Sequence, residues 1–203
     1  TNTGINLPES DRIQLITGGT ERMRITSSGD VGIGTTSPQS GIHLAEGGSG
    51  SDGGSVLTLS QTGFGTIVNN DDLGSVHFGG VTSGGVGSHA CAKIMVEGDG
   101  TFATNDFPTR MTFHTTTDGG NTLSERMRIS NAGRVSIGTT TTDRELKVQK
   151  SGDSCVIAIV SGTSNLSGIV MGDTDDDDIG HILYNNSSNS MSFRTNTSDA
   201  VTI

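Results

Sequence analysis

Tryptophan is absent from this 203-residue chain, tyrosine occurs once, and aromatics together make up 3%. Sugar grooves recruit aromatic faces, so a glycan-processing cleft has little to be built from. Charge is scarce as well, 17% of residues against about 25% in an ordinary soluble domain. The 12 basic residues are mostly arginines scattered singly among 22 acidic ones, for a net charge of −10. No basic stripe is available to neutralise phosphates, which excludes nucleic acid and anionic membrane surfaces as partners. Long hydrophobic runs are missing too. The longest purely apolar stretch, Val156 to Val160, falls far short of the roughly 20 residues that span a bilayer, so no membrane insertion is expected. The two cysteines, Cys91 and Cys155, match no metal or redox spacing and are expected as buried unpaired thiols on strands. The chain starts at Thr1 with no charged-then-apolar leader, which reads as a processed chain or a fragment without a visible targeting signal.

What is plentiful is small and neutral. Glycine supplies 31 residues, and with serine, threonine and asparagine it makes up nearly half the chain. Leu, Ile, Val and Phe together are about 22%, just above the level of about 20% below which chains tend not to fold. A compact globule with a large core is excluded, and a turn-dense β chain with a thin core remains, helped by self-association. The uniform negative sign keeps such a particle soluble.

The run Glu21-Arg22-Met23-Arg24-Ile25 recurs unchanged as Glu125-Arg126-Met127-Arg128-Ile129, an offset of 104 residues. Gly29, Val31, Ile33, Gly34, Thr35 and Thr36 then align at the same offset with Gly133, Val135, Ile137, Gly138, Thr139 and Thr140. Period-two alternation puts Met23 and Ile25 on one face and Arg22 and Arg24 on the other, as in a strand buried on one side. Ser27-Ser28-Gly29 and Asn131-Ala132-Gly133 supply short turns, with Gly29 and Gly133 as the turn glycines that take positive φ cheaply, consistent with a hairpin loop and a bulge. Val31, Ile33, Val135 and Ile137 return on the buried face. Arg12 to Ile16 precedes the first copy and Arg110 to His114 the second. A third copy begins at Ser190-Met191-Ser192-Phe193-Arg194 and leads to Asp199 to Ile203, with its turn and a Val-x-Ile-Gly strand expected beyond Ile203.

The expected organisation is therefore a first hairpin repeat over residues 1–40, a β-rich segment with Gly/Ser loops over 41–108, a second hairpin repeat over 109–142, a β-rich segment with an acidic turn over 143–189, and the start of a third repeat over 190–203. Further strands are expected at Ile42 to Leu44, Ser55 to Leu59, Gly74 to Phe78, Ala92 to Val96, Glu145 to Val148, Cys155 to Val160, Gly168 to Met171 and His181 to Tyr184, separated by Gly/Ser/Asn/Asp punctuation. Residues 46–54 and 79–88 read as loops. No window carries a helical period.

Isolated hairpins are marginal in water, and a strand with two or three small aliphatics per face does not offset its own ordering. Solenoid stacking needs repeats of about 20 to 50 residues, shorter than the spacing here. Identical chains wound about a common axis solve the problem, because their apolar stripes meet in one narrow core and strand edges become paired. The expected fold class is all-β, with repeated hairpins and short strands intertwined in an elongated homotrimeric shaft of the β-prism or β-helix kind. Its packing residues are Met23, Ile25, Val31, Ile33, Met127, Ile129, Val135 and Ile137.

The Glu-Arg-Met-Arg-Ile string followed by a Gly turn and Val31 to Pro38, with Thr104-Asn105-Asp106-Phe107-Pro108-Thr109-Arg110-Met111 before the second copy, resembles the repeat of bacteriophage tail-fibre and related virion structural proteins. The resemblance runs from about Arg12 to Ile203. It implies a homotrimeric β-structured shaft, often followed by a C-terminal intramolecular chaperone that directs trimerisation and cuts itself away. It also implies a virion location, extracellular when functioning, with other virion tail proteins and a host surface glycan or receptor as partners. Segments of bacterial surface proteins resemble the same repeats, which leaves a glycan-binding adhesin of a bacterium open beside the tail fibre.

Candidate chemistry is thin, and neither an enzyme nor a bound cofactor or metal is expected. The run Asp173, Asp175, Asp176, Asp177, Asp178 has the oxygen ligands that suit Ca²⁺, but it lacks the glycine and distal glutamate of an EF-hand and reads as a solvated turn. Asp71 and Asp72 look like the corresponding turn of the first repeat. His43, His77, His89, His114 and His181 occur singly in strand-like stretches, with His77 and His181 the ones to inspect for an axial ion in a trimer. A polysaccharide-degrading tail spike would need paired Asp or Glu residues flanked by aromatics, and no such pair is legible. The phenylalanines Phe64, Phe78, Phe102, Phe107, Phe113 and Phe193 read as core anchors. Arg22/Arg24 and Arg126/Arg128, beside Glu21 and Glu125, read as cross-strand or intersubunit ion pairs. The Gly-rich stretches lack a Walker lysine and a following helix, and Asn165, Asn185, Asn186 and Asn196 match the glycosylation pattern without weight in so polar a chain.

Overall fold

A computed structural model describes residues 3–8, 11–46, 54–62, 65–81, 89–196 and 198–202. Thr1, Phe64, Ile203 and most of the loops expected at 46–54 and 79–88 lie outside the described residues. The fold is all-β. Among the described residues there is no helix, hence none long and apolar enough to cross a membrane. The chain forms two compact units, Thr1–Met111 and Thr112–Ile203.

The first unit opens with β1 (Gly4–Asn6), β2 (Ile13–Thr17), β3 (Thr20–Ile25), β4 (Val31–Ile33) and β5 (Ile42–Leu44), joined in that order in one sheet. It continues with the antiparallel pair β6 (Asp72–Gly80) and β7 (His89–Gly98) and the beginning of β8 (Thr109–Thr115). The second unit carries the rest of β8, then β9 (Ser124–Ile129), β10 (Val135–Ile137) and β11 (Leu146–Val148), with β9 antiparallel to β10 and β10 parallel to β11. A four-stranded antiparallel sheet follows, made of β12 (Leu166–Met171), β13 (Gly180–Asn185), β14 (Ser190–Thr195) and β15 (Ser198–Thr202).

The two copies of the repeat fold alike, down to single hydrogen bonds. In the β3–β4 hairpin Thr26 N–H donates to Asp30 O at 2.9 Å and Gly29 N–H to Thr26 O at 2.9 Å, with Gly29 at φ 88°. In the β9–β10 hairpin Ser130 N–H donates to Arg134 O at 3.0 Å and Gly133 N–H to Ser130 O at 2.9 Å, with Gly133 at φ 75°. This is a three-residue loop closed by a glycine in the left-handed region.

After β4 the chain hooks back on itself. Gly34, at φ 75°, donates its N–H to Arg22 O at 2.8 Å, and β5 then pairs with β4 in parallel. A Cβ at position 34 would run into Ala45 O, so the hook needs glycine twice over, for its backbone angle and for space. Gly138 repeats the arrangement at φ 74°, with its N–H on Arg126 O at 2.8 Å and Gln149 O occupying the space of its missing Cβ. Parallel neighbours ordinarily need a crossover of about a dozen residues or more; the hook makes one with residues 34–41.

Three expectations are corrected. Ser55 to Leu59 and Cys155 to Val160 form no strand, because the chain provides no ladder for them, and their apolar side chains are exposed. Cys91 and Cys155 are exposed rather than buried. Phe78 and Phe107 are exposed too, at 55% and 65%, and anchor no core within the chain.

Candidate functional site

Residues directly opposite one another in a ladder share a face, so the registers define the surfaces of the first sheet. One row runs Ile5, Leu15, Met23, Ile33, Leu44 across β1 to β5, and the next runs Ile13, Ile25, Val31, Ile42. Every position in both rows is aliphatic or methionine. None of these nine side chains is buried, and Ile5 and Ile42 are 72% and 68% exposed. The opposite face carries Asn6, Gln14, Arg24, Gly32 and His43, and there Gln14 and Gly32 are buried.

The polar face is covered by a network of its own. The β2–β3 register slips between Leu15 and Ile16, so that Leu15 faces Met23 and Ile16 faces Glu21, leaving Arg22 as the extra residue of a bulge. The slip brings Glu21 onto the face of Arg24, where Arg24 Nε lies 2.5 Å and Nη2 2.8 Å from the carboxylate. Gln14 Nε2 also donates to Glu21, Asn6 Nδ2 donates to Gln14 Oε1 at 2.8 Å, and Arg24 Nη1 reaches Thr36 O in the hook. The Arg24 bond holds the Glu21 carboxyl below its ordinary range against the opposing effect of burial, and the same contact raises Arg24. Arg22 stands apart, exposed, donating to Thr17 Oγ1 at 3.1 Å. The ion pair, expected to be cross-strand or intersubunit, is thus a pair along one strand, and the bulge is why the two arginines part company.

The second copy repeats the scheme. Met127, Ile137 and Val148 form one apolar row and Ile129, Val135 and Leu146 the next, with Ile137 and Leu146 exposed by 40% and 62%. Behind them Arg128 holds Glu125 through two bonds of 2.6 Å, Arg126 donates to Thr115 Oγ1 at 3.1 Å, and Ser136 is fully buried with its Oγ donating to Thr141 O at 2.9 Å. In the last sheet Ile169, Ile182, Phe193 and Val201 form a comparable row, exposed except for the half-buried Phe193. His181 is buried on the other side with Nε2 3.1 Å from Ser192 Oγ.

The burial is therefore inverted relative to a soluble domain. Met95 is the only buried hydrophobic side chain among the described residues, while Gln14, Arg110, Thr112, Ser130, Ser136 and His181 are all buried. All eight packing residues expected from the sequence fall in the open apolar rows, brought together in two groups of four.

Arg110 is the buried residue that sequence reasoning passed over. Its guanidinium, 6% exposed, meets Glu97 Oε1 at 3.1 Å, Asp99 Oδ1 at 3.1 Å, Asn69 Oδ1 at 3.0 Å, Asn70 Oδ1 at 2.6 Å and Gly98 O at 3.0 Å. These ties fasten the turn before β6 to the end of β7. The nearest signal was the position of Arg110 inside the Thr104 to Met111 motif. Phe102 and Phe107 brace the same region edge to face at 5.4 Å.

The acidic run is an exposed turn between β12 and β13. Asp173 Oδ1 accepts the N–H groups of Asp175 at 2.9 Å and Asp176 at 3.1 Å, and these bonds lower its carboxyl. Asp71 is not its counterpart, since it precedes β6, where its carboxylate accepts Val68 N–H at 2.9 Å. Asp176, Asp177 and Asp178 come close enough together to share a cation, all of them exposed. His77, half of the pair singled out for inspection, is exposed with Nε2 2.9 Å from Ser75 Oγ.

No family model matches the chain, and no curated protein does. Among solved structures it is similar to the carboxy-terminal domain of the bacteriophage T5 L-shaped tail fibre, at 14% identity and a TM-score of 0.40 over 76% of this chain and 74% of that one. The likeness is to phage tail-fibre domains. The same T5 domain with its intra-molecular chaperone domain is similar at 15% identity and a TM-score of 0.38, covering 81% of this chain and 52% of that one.

Proposed function

We propose that this protein is a non-enzymatic structural component of a phage tail fibre, in which three copies join through their apolar rows to make a β-structured shaft that supports attachment to a host surface. The observation that carries the reading is the inverted burial: each repeat closes its polar face with its own hook and leaves a charge-free face of Met, Ile, Leu and Val bare. Contiguous apolar surface of that kind marks an interaction site. Because both copies of the repeat present it in the same register, an identical chain is the partner with matching periodicity. The tail-fibre setting rests on the resemblance of the repeated hairpin, and three is the count that resemblance implies.

Light scattering on the purified chain tests the reading. A particle of three times 20.8 kDa is expected, and a folded monomer at micromolar concentration overturns it.

A further inference from the structure

Two segments look like strands in sequence and have no ladder in the structure. Residues 55–59 read Ser-Val-Leu-Thr-Leu and residues 155–160 read Cys-Val-Ile-Ala-Ile-Val. They occupy equivalent places, one after β5 and the other after β11. Val56 and Val156 are 76% and 82% exposed, and Val160 reaches 85%. Residues of high β propensity are left with both faces in water, the most costly setting for them and the one most prone to adding strands.

The chain comes close to pairing the second segment and then fails. Asn165 N–H donates to Gly162 O at 3.0 Å, forming a turn, and Ser161 Oγ lies 2.8 Å from Ser167 Oγ on β12. Among the described residues no backbone hydrogen bond reaches 156–160. A cleft of about 460 Å³ opens there, lined by Ile159, Val160, Ile169, Ile182, Tyr184 and Met191 among others. The first unit repeats the feature with a cleft of about 300 Å³ between Leu57, Leu59 and the β6–β7 pair, lined by Val76, Ile94 and Val96.

We propose that residues 55–59 and 155–160 are inter-chain strands, each taking its backbone hydrogen bonds from a second copy of this chain whose apolar residues fill the adjacent cleft. The proposal deepens the shaft reading and rests on it. Two observations select a second copy as the occupant. Charge is the first: neither segment nor either set of lining residues carries any, so chains of net charge −10 can meet there without repulsion. The second is self-sufficiency, because both strand and cleft occur on one chain, twice, and copies complete each other in a closed ring without another protein.

Ala158→Pro discriminates, since proline removes a ladder donor yet is harmless in an unpaired extended run. Wild-type chain, Ala158→Pro and the conservative Ala158→Ser are compared by light scattering over a dilution series and by amide hydrogen exchange. The expected result is an oligomer in which amides of 56–59 and 156–160 are protected at least about 100-fold, with Ala158→Pro weakening association at least about tenfold and Ala158→Ser leaving it intact. An oligomer in which these amides exchange as freely as in an unfolded peptide, or in which Ala158→Pro associates normally, overturns the inter-chain strands and leaves the shaft reading standing. A wild-type monomer overturns both.

Discussion

Glu21 and Arg24 are three residues apart on one β-strand, yet their side chains meet on the same face at 2.5 Å. In a regular strand that spacing sends side chains to opposite faces. The bulge at Arg22 resets the alternation, and the pair then stands under the hook, where Arg24 ties β3 to Thr36 O. The sheet thus half-buries an ion pair on its polar face while Ile5, Ile13, Ile33 and Ile42 of the other face stay exposed.

The acid response of the first hairpin follows from this pair. The Glu21 carboxyl is depressed in the fold, chiefly by its hydrogen bond to Arg24, so the fold binds fewer protons than the unfolded chain. Its stabilisation is present in full above the unfolded value of about 4.3 and is lost as pH falls through the lower folded value. Urea unfolding of wild type and Glu21→Gln at pH 7 and pH 3.5 checks it. The difference between the two is expected to shrink at the lower pH, and a constant gap would sink the assignment.

The two kinds of positive-φ glycine separate by substitution. At Gly29 a Cβ meets nothing within 4 Å, so Gly29→Ala pays only for its left-handed backbone, about 1–2 kcal/mol. At Gly34 the same angle is combined with a collision against Ala45 O, so Gly34→Ala is expected to cost more than about 3 kcal/mol and to detach β5. Chemical denaturation gives the ordering, and equal costs would mean that the hook does not hold the repeat.

Arg110 predicts a large effect from a single buried cation. Arg110→Met leaves Glu97, Asp99 and Asn70 facing an uncharged stem, and breaking a buried pair from one side costs about 3–5 kcal/mol. Arg110→Lys is expected to recover only part of it, because an ammonium cannot span acceptors on both the 69–70 turn and the β7 end as a guanidinium does. Unfolding midpoints of the three proteins decide it.

The apolar rows are tested most directly by placing a charge in them. Ile33 and Ile137 are each 40% exposed, so Ile33→Asp or Ile137→Asp is tolerated by the single chain. In a joined assembly the same carboxylate is buried without a partner, and association is expected to fall by more than about 100-fold. Sedimentation of the variants that matched wild type would remove these rows from the interface.

Much of this fold was legible because the repeat writes the same hairpin twice. Met23, Ile25, Val31 and Ile33 announced two alternating strands, and Gly29 announced the turn between them. The hook was not legible: Gly34-Thr35-Thr36 carries no sign that the chain turns back to a parallel neighbour, which depends on a carbonyl 11 residues away at Ala45. Nor was the bulge at Arg22, since it removes one step of alternation without changing a residue type. Ser55 to Leu59 and Cys155 to Val160 failed for a different reason. Propensity is a local property and pairing is not, so a perfectly good strand sequence remains single where its ladder lies elsewhere. Period-two patterning also fixes only which residues share a face, and here the face that closes within the chain is the polar one.

That choice of face has a calorimetric consequence. The heat capacity of unfolding comes mainly from apolar surface returned to water, and this chain keeps Met95 as its one buried hydrophobic side chain among the described residues. A lone chain is therefore expected to have a shallow stability curve, little sharpened by warming or cooling. In the proposed assembly the curvature normally gained on folding arrives only when the apolar rows are covered, so the large negative heat-capacity change is expected on association. Concentration, more than temperature, would then set how cooperatively that assembly melts.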